Sequence, residues 1–430
     1  MTDGKDLFKE LCTLSRLERG YEMVKKNRGA PGIDGVTVEE FGNHRSQELG
    51  QLKKELESWT YQPKPVRGVE IPKAGNKGTR LLGIPCVRDR VVQATLKDLL
   101  EPIFEPTFSD NSYGFRPGKN QRQAVEAAQR IVRHGKEYVV DIDLSKFFDR
   151  IHHDRLIMRM SLHVPDKQIL RLIGITLRSG VMKDGLLSAT TEGSIQGSPL
   201  SPLLSNIVLD ELDKELELRN LAFCRFADDC NIFVKSRKAA ERVMISVSKF
   251  IEGKLKLVVN REKSQVARSK GVTFLGMTII KGTLSISSRS INRAMAKVKE
   301  LTPRGTQQAI AKTIEDINSW YMGWSGYYIM TQYPAQLNKI EAHIRRRLRS
   351  RIVSQQKRRR HLLNKLIKRG VAKQSAAKTI YSNKDRWALS ATVALHKAYP
   401  NNWFKEMGLK TRVCERHSHW FDITKWIRLL

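Results

Sequence analysis

The sequence has few cysteines and no long apolar stretch. Its five cysteines are scattered without C-x-x-C spacing, so neither a disulfide framework nor a structural zinc site is indicated, and the thiols are expected to be reduced. No run of 18 apolar residues, no signal peptide and no lipidation motif is visible, so we expect a cytoplasmic protein without a membrane partner. Hydrophobic residues still make up 40% of the 430 residues, which is enough for two or three domains with real cores and excludes a disordered chain.

Acidic residues are also scarce relative to basic ones. Lys and Arg number 77 against 44 Asp and Glu, which gives a formal net charge of +33 at pH 7. This excess is far beyond what solubility requires and is typical of proteins that bind a polyanion, with nucleic acid the default partner. Two basic runs in the C-terminal third have almost no acids between them, which favours phosphate binding over a solvated helix face. The expected nucleic-acid-binding residues are Arg345, Arg346, Arg347, Arg349, Arg351, Lys357, Arg358, Arg359 and Arg360.

Two of the acids are adjacent and lie between apolar segments. Residues 223–227 and 230–235 read as short strands, and Asp228 and Asp229 join them, which predicts a hairpin with both acids at its turn. Adjacent carboxylates on an apolar ribbon repel each other, so their burial is unfavourable unless a cation lies between them. A divalent metal ion is the expected partner, and an exposed acidic turn is the simpler alternative.

A further pair of acids favours the metal site. Residues 138–144 form an apolar run that predicts a buried strand, and Asp141 and Asp143 lie on the same face of it because side chains alternate along a strand. Carboxylate clusters suit Mg²⁺, which prefers oxygen ligands and substrate phosphates. Two such ions could activate a primer hydroxyl and stabilise the pyrophosphate leaving group. We therefore hypothesise that the protein catalyses nucleotidyl transfer.

Other polar residues are candidates for substrate contacts. Two predicted strands joined by a tight turn place Lys73 near Arg80, a basic pair that could hold a triphosphate, although surface cations on a hairpin are the plainer interpretation. Gln196 lies in a loop before a predicted helix and could bond to a template or an incoming nucleotide. His152 and His153 point to different sides of the chain, so we predict capping or packing roles for them rather than catalysis.

Seven motifs occur in a recognisable order: IPK with a following TR, SYGFRPG, VDIDLSKFFD, QGSPLSPLLSN, FADD, VNREKS and FLG. Together they resemble the reverse transcriptases encoded by bacterial group II introns, particularly the class C kind that lacks an endonuclease domain. The resemblance covers nearly the whole chain and implies an α+β fold, a right-hand polymerase with fingers, a palm containing an antiparallel sheet and a helical thumb, plus a small helical C-terminal DNA-binding domain. The expected boundaries are 1–62 for an N-terminal extension, 63–285 for fingers and palm, 286–355 for the thumb or maturase region, and 356–430 for the basic DNA-binding domain.

The resemblance assigns roles to individual residues. Asp143, Asp228 and Asp229 match the catalytic acids, and with Leu144 they form the expected site for two Mg²⁺ ions. Phe148 matches the aromatic residue that would clash with a ribose 2′-hydroxyl and so select deoxynucleotides. The expected substrate-binding residues are Lys73, Arg80, Phe148, Gln196 and Lys263, of which the last resembles a lysine that protonates pyrophosphate. Residues 274–276 resemble the primer grip.

Three positions depart from the family pattern. Phe226 stands where the family has Tyr, Ile195 where Pro precedes Gln-Gly, and Ser198 where Gly follows it. The loss of a hydroxyl at position 226 leaves the carboxylates intact, so catalysis should survive, and the departures leave room for a relative that no longer serves an intron. Residues 414–419 contain Cys and His but lack a second cysteine pair with nuclease spacing, so no endonuclease is predicted.

The resemblance implies an RNA-directed DNA polymerase that binds group II intron RNA to assist splicing and supports retrohoming by target-primed cDNA synthesis. Its expected partners are intron RNA or another RNA template, a DNA primer, target DNA and dNTPs, in the bacterial cytosol and associated with the nucleoid; a homodimer is left open. Two alternatives stay open as well. One is a domesticated reverse transcriptase in DNA repair or defence, and the other is a non-enzymatic RNA-binding splicing factor, which loss of the catalytic acids would mark.

Overall fold

The computed structural model describes residues 6–72, 78–183, 185–189, 192–194, 196–303 and 305–412, and the chain divides into two units, Met1–Arg268 and Ser269–Leu430. Both units combine helices with antiparallel strands, which confirms the α+β class predicted from the resemblance. Within the described ranges, four cysteines are buried free thiols. In the same ranges, no helix is both long enough and apolar enough to span a membrane.

The first unit contains ten helices and eight strands among its described residues. The helices are α1 (Leu7–Leu11), α2 (Leu14–Asn27), α3 (Val38–Asn43), α4 (Arg45–Glu57), α5 (Val87–Phe104), α6 (Gln121–Arg133), α7 (His153–Ser161), α8 (Lys167–Leu177), α9 (Ser201–Leu218) and α10 (Arg237–Phe250). The strands are β1 (Val66–Pro72), β2 (Thr79–Ile84), β3 (Tyr138–Ile142), β4 (Val181–Lys183), β5 (Leu186–Ser188), β6 (Ala222–Phe226), β7 (Asp229–Val234) and β8 (Gln265–Arg268).

Two sheets organise this unit. The first has the strand order β2-β1-β4-β5, and the antiparallel pair β1–β2 is the hairpin that the sequence predicts, with Ile71 opposite Arg80. The second has the order β6-β7-β3-β8 and is antiparallel throughout. One hydrophobic core joins the N-terminal helices to this second sheet and to its covering helices, because apolar side chains from all of them are fully buried together. Examples from five elements are Leu17, Val91, Val140, Leu204 and Ile232.

The hairpin of β6 and β7 turns one residue earlier than the sequence predicts. Phe226 pairs with Asp229, so the turn consists of Ala227 and Asp228, and Asp229 is the first residue of β7. The prediction that Asp228 and Asp229 both form the turn is therefore wrong. It followed residue preferences, since Asp tolerates turn conformations better than Ala. In the structure Ala227 takes the positive φ, at 55°.

The start of helix α5 carries a buried acid whose ionisation opposes folding. Asp89 accepts hydrogen bonds from the Tyr61 hydroxyl at 2.6 Å and from the Lys64 backbone N–H at 3.1 Å. Burial nevertheless raises the pKa of Asp89 from 3.8 to about 6. The folded protein thus holds this proton more tightly than the unfolded chain does. The stability associated with it is present below pH 3.8 and is lost as the pH rises through about 6.

We expect the Asp89→Asn substitution to reveal this loss. The free energy of unfolding of the wild type, relative to that of the variant, should fall by roughly 2 kcal/mol between about pH 4 and pH 7, because only the wild type must ionise a buried carboxyl group. Urea unfolding of both proteins at several pH values measures the difference. A difference that stays constant or grows with pH would show that the pKa of Asp89 is not raised.

The second unit is a helical assembly preceded by a hairpin. Its strands are β9 (Met277–Ile280) and β10 (Thr283–Ile286), and its helices are α11 (Ser288–Leu301), α12 (Ile310–Tyr328), α13 (Pro334–Gln355), α14 (Arg359–Lys368), α15 (Lys373–Ile380), α16 (Arg386–Leu389), α17 (Val393–Ala398) and α18 (Asn401–Glu406). Buried side chains of α14–α18 share one core with those of α11–α13. Residues predicted to form the thumb and the DNA-binding domain therefore pack together in this unit.

Candidate active site

The four acids singled out in the sequence meet at one end of the second sheet. Asp141 on β3 pairs with Asn231 on β7, and Ile142 pairs with Cys230. Continuing this antiparallel register by one residue brings Asp143 opposite Asp229, with Asp228 in the adjoining turn. Like charges that face each other across strands are unfavourable, so the sheet brings together carboxylates that need a counter-charge.

Burial and repulsion from neighbouring carboxylates both act on Asp228 and Asp229. Burial raises the pKa of Asp229 to about 8, and the charges of Asp141, Asp228 and Asp143 add to the effect. Burial likewise raises the pKa of Asp228, and there the Arg80 guanidinium acts in the opposite direction. Arg80 of the first sheet is therefore close enough to influence the acids of the second. In the absence of a cation, this cluster retains a proton near neutral pH.

The donor atoms fit Mg²⁺ in kind. Carboxylate oxygens are the ligands that this ion prefers, and a divalent cation would favour the ionised form of every acid whose pKa burial raises. Among the residues that the structure describes, no three His, Cys, Asp or Glu side chains already stand close enough together to hold a metal ion. Filling such a site would therefore require the carboxylates to converge. The backbone of Leu144, the other predicted ligand, forms an isolated bridge with Val259.

The VNREKS segment lies along the end of β3 and fixes Asp143. The backbone N–H of Asp143 donates to the Ser264 hydroxyl at 3.0 Å, and the backbone N–H of Asn260 donates to the Asp143 carbonyl at 2.8 Å. Lys263 extends from the same segment, and its Nζ lies 3.4 Å from Oδ2 of Asp143. The structure thus brings this lysine beside the acids, in a largely exposed position from which it can also reach a substrate.

Phe148 lies in a short 3-10 turn, Phe147–Arg150, just after β3. Its ring is half-buried and meets the ring of Phe147 edge-on, with the centroids 5.1 Å apart. The carbonyl of Phe148 accepts a hydrogen bond from the backbone N–H of Ser194 at 2.7 Å. The loop that contains Gln196 is therefore attached directly to the turn that carries Phe148.

The two histidines have the structural roles that the sequence predicts. His152 caps α7 by accepting a hydrogen bond from the backbone N–H of Arg155. His153 is buried, and its Nε2 lies 2.7 Å from the Gly193 carbonyl. His153 therefore helps to hold the loop of Gln196 in place.

The same loop is attached to the first sheet. The Gln196 carbonyl accepts a hydrogen bond from the backbone N–H of Gly83, at the end of β2, at 2.8 Å. Gly197 has a φ of 111°, and a Cβ there would lie 2.5 Å from the Gly83 carbonyl oxygen, so only glycine fits this approach. The loop thereby links the strand of Arg80, which is exposed, to the turn of Phe148.

The three residues that depart from the family pattern lie in different surroundings. Ser198 donates a hydrogen bond to Oε1 of the buried Gln93 at 2.8 Å and accepts one from the backbone N–H of Leu200, so its hydroxyl anchors the loop to α5. Phe226 is half-buried and pairs with Asp229, so its ring lies on the face of the acids. Ile195, and the predicted triphosphate ligand Lys73, lie outside the described residues.

The structure also contains a buried ion pair that sequence reasoning missed. Arg225, directly before Phe226, is fully buried and donates to both carboxylate oxygens of Asp213 on α9, which is fully buried as well. The signal was an arginine within an otherwise apolar strand, because a buried guanidinium requires an acidic partner. That partner lies in a different element and could not be identified from the sequence.

Three arginines of the first basic run are not available to phosphate. Arg347, Arg349 and Arg351 are buried in α13 within the second unit. Their guanidiniums bond internally, to Thr302, to the Tyr399 carbonyl at 2.9 Å, and to Thr313 and the Gln308 carbonyl respectively. The prediction that these three bind nucleic acid is wrong, because each already serves as a hydrogen-bond donor in the core of its own unit.

The remaining basic residues lie closer to the surface. Arg345 is half-buried and lies 3.8 Å from a carboxylate oxygen of Glu341, and the Arg346 guanidinium lies 4.0 Å from the ring centre of Trp387. The second run is exposed throughout. Its members are Lys357, Arg358, Arg359 and Arg360.

Comparison with known proteins identifies two family domains in the chain. Residues 71–279 match the family described as reverse transcriptase (RNA-dependent DNA polymerase). Residues 291–369 match the group II intron, maturase-specific domain. The first match contains all four acids, Phe148, Gln196 and Lys263, and the second contains both basic runs.

Curated relatives agree with these matches. Protein YkfC of Escherichia coli is 34% identical over 298 residues, covering 60% of this chain and 78% of YkfC. The group II intron-encoded protein LtrA of Lactococcus lactis is 32% identical over 246 residues, covering 57% of this chain but only 40% of LtrA. The putative COX1/OXI3 intron 2 protein of Saccharomyces cerevisiae is 28% identical over 334 residues, covering 64% of this chain and 38% of that protein. As the motif order predicted, the protein belongs to the group II intron reverse transcriptase and maturase family and carries its reverse transcriptase domain, an RNA-dependent DNA polymerase.

Proposed function

We propose that the protein copies RNA into DNA with dNTPs and two Mg²⁺ ions, and that it binds group II intron RNA to assist splicing. The observation that carries the polymerase proposal is the placement of Asp143, Asp228 and Asp229 at the same end of one sheet, with Lys263 beside Asp143. Raised carboxyl pKa values at this place favour a site for divalent cations. Bound Mg²⁺ would stabilise the attacking and leaving oxygens of the phosphoryl transfer.

The protein's own residues would bind and orient the substrates. Arg80 is exposed and close enough to Asp228 to influence its pKa, so it suits the triphosphate of a nucleotide at the acids. Lys263 can donate a proton to the departing pyrophosphate from its place beside Asp143. Phe148 would exclude a ribose 2′-hydroxyl, and Gln196 would contact the new base pair. Lys73 would assist Arg80, as the resemblance implies.

The maturase and retrohoming roles rest on the second family match and on surface charge. Lys357, Arg358, Arg359 and Arg360 form an exposed basic run with no acid among them, which suits phosphates of RNA or target DNA. We propose that this run contributes to intron RNA binding and to target-primed cDNA synthesis. The four-part division at residues 62, 285 and 355, the cytoplasmic and nucleoid location and the homodimer stay predictions.

Primer extension tests the polymerase proposal. The protein is incubated with an RNA template, an annealed DNA primer, dNTPs and Mg²⁺, and the products are resolved by length. Extension that requires both dNTPs and a divalent cation supports the proposal. Tight RNA binding without extension would instead favour the non-enzymatic splicing factor. Absence of a group II intron around the gene, together with extension, would favour the domesticated enzyme.

The exposed basic run predicts a salt-dependent loss of binding. With Lys357, Arg358, Arg359 and Arg360 all replaced by Ala, we expect RNA affinity at physiological salt to fall by roughly 10- to 100-fold, because phosphate contacts are lost. The slope of log K against log salt should become shallower by up to about 3, or about 0.7 for each lost contact with a single strand. Filter binding at several salt concentrations measures both quantities.

A matched control replaces four exposed basic residues of α10 by Ala. These are Arg237, Lys238, Arg242 and Lys249. The control removes the same charge from the first unit, so it should change the slope less if the second basic run contacts phosphate. Equal changes in both variants would mean that net charge alone determines RNA affinity.

A further inference from the structure

The guanidinium of Arg225 is the centre of a fully buried network. Its Nε and Nη2 donate to the two carboxylate oxygens of Asp213 on α9, at 2.7 and 2.5 Å. Its Nη1 donates to Oδ1 of Asn206, also on α9, at 3.1 Å. All three residues are buried, and Arg225 and Asp213 have no exposed side-chain surface. The orientation of the guanidinium is therefore determined by two side chains of a single helix.

The same Nη1 reaches the turn that carries the catalytic acids. It donates to the Ala227 carbonyl at 2.9 Å, and Ala227 is the residue that precedes Asp228. Ala227 has a φ of 55°, a conformation that is strained for alanine and persists only where its surroundings impose it. The bond from Arg225 is one of the contacts that the backbone of this residue makes.

The SYGF motif supports the turn from its other side. Gly114 packs so closely that a Cβ on it would lie 2.2 Å from the Ala227 backbone nitrogen. Asn206 joins the two supports, because its Nδ2 donates to the Gly114 carbonyl at 2.9 Å while its Oδ1 accepts from Arg225. The backbone N–H of Tyr113 donates to the Arg225 carbonyl at 2.8 Å. Three motifs that are separate in the sequence thus meet at a single turn.

We propose that Arg225 is a positioning residue for catalysis: its guanidinium, oriented by Asp213 and Asn206, holds the Ala227 carbonyl and thereby places Asp228 and Asp229 for metal binding. The proposal rests on the polymerase function proposed above. Arginine suits the role because its planar fork can satisfy a carboxylate bidentately and still donate to two further acceptors. Lysine would keep the charge beside Asp213 but could not reproduce this set of bonds in fixed directions.

The first test is the Arg225→Lys variant of the full chain, which keeps the buried positive charge. We expect the backbone amides of the turn, followed by hydrogen exchange in peptides from 222–234, to exchange about tenfold faster than in the wild type. We also expect Mn²⁺, followed by electron paramagnetic resonance as a probe of the acid site, to bind at least about fivefold more weakly. Primer extension per active molecule should fall at subsaturating Mg²⁺ and recover in part at high Mg²⁺.

Arg159→Lys is the matched control. Arg159 bonds to the Ile207 carbonyl and to Asp210 and Glu211, so it forms an ion pair with the same helix without touching the turn. Loss of these contacts in Arg159→Lys should lower thermal stability. Hydrogen exchange at the amides of the turn and Mn²⁺ affinity should stay unchanged. If Arg225→Lys behaves in the same way, Arg225 serves only stability and the proposal is wrong.

A second pair of variants covers the case in which Arg225→Lys does not fold. Gly114→Ala forces the Ala227 nitrogen to move while leaving Arg225 intact, so it should also weaken Mn²⁺ binding. Ala227→Gly removes the strain at positive φ. The loss of Mn²⁺ affinity caused by Arg225→Lys should therefore be smaller when the two changes are combined. Unchanged Mn²⁺ binding in Gly114→Ala, or strictly additive losses, would refute the proposal. A wild type that fails to extend primers would refute the polymerase function instead, while exchange and Mn²⁺ binding would still test Arg225.

Discussion

Replacing Asp228 by Asn is expected to abolish primer extension, by at least about a thousandfold, while the fold and primer-template binding remain. The side chain keeps its shape but loses the negative charge that a catalytic cation would require. The change should not destabilise the protein, because burial raises the pKa of Asp228 and the charge of Asp143 adds to this effect, so the folded state disfavours the ionised carboxylate. We expect a melting temperature equal to or above that of the wild type. Single-turnover extension on an RNA template, together with primer-template binding by fluorescence anisotropy, measures both properties.

Asp141→Asn, on strand β3 of the same sheet, provides the control for Asp228→Asn. Asp141 shares the face of Asp143 but lies two residues further from the turn, and its carboxylate accepts a hydrogen bond from Gln265 at 3.1 Å. Burial raises the pKa of this group too, so the control removes a comparable buried charge. It should keep activity within about tenfold of the wild type. Equal losses in the two variants would mean that the negative potential of the whole face, rather than ligation by Asp228, supports the reaction.

Motif order was enough to predict the fold class and the family, and the structure brings most of the predicted site residues together. Asp143 and Lys263 are 120 positions apart in sequence yet lie 3.4 Å from each other in space. The two residues come together because strands β3 and β8 pair in a fixed register, and the alternation of apolar and polar residues along a half-buried strand determines that register. The turn itself was predicted one residue late, because Ala227 takes its φ from contacts with Arg225 and Gly114 rather than from its own preference.

The wrong prediction for three arginines of α13 also arose from contacts with other segments, which the sequence does not show. The run 344–351 appears in the sequence as one basic surface, but Arg347, Arg349 and Arg351 donate to acceptors on three other segments of the second unit. Those acceptors are mostly backbone carbonyls and hydroxyls, which carry no charge signal in a sequence. A guanidinium can be buried where several neutral acceptors surround it. The sequence shows whether acids lie near an arginine along the chain, but not which neutral acceptors surround it in the fold.

The second large effect is expected at Phe148. Its replacement by Ala should raise the efficiency of ribonucleotide incorporation, relative to deoxynucleotides, by roughly 100-fold, because the ring that would meet a 2′-hydroxyl is removed. Incorporation of dNTPs should decline much less. Single-nucleotide insertion with matched dNTP and rNTP pairs gives kcat/KM for each, and their ratio is the measured quantity.

Phe147→Leu separates this gate from simple loosening of the turn. Phe147 is buried directly beside Phe148, and its ring contacts that of Phe148 at a centroid distance of 5.1 Å. The change should reduce stability, since it removes core volume, yet it leaves the half-exposed ring of Phe148 in place. Sugar selectivity should therefore stay near that of the wild type.

The variant Phe148→Ala keeps the backbone hydrogen bond to the Gln196 loop, because the Phe148 carbonyl accepts it from the backbone N–H of Ser194. A change in sugar selectivity in this variant would therefore result from loss of the ring. Unchanged ribonucleotide incorporation in Phe148→Ala would assign the selection of deoxynucleotides to other residues of the site.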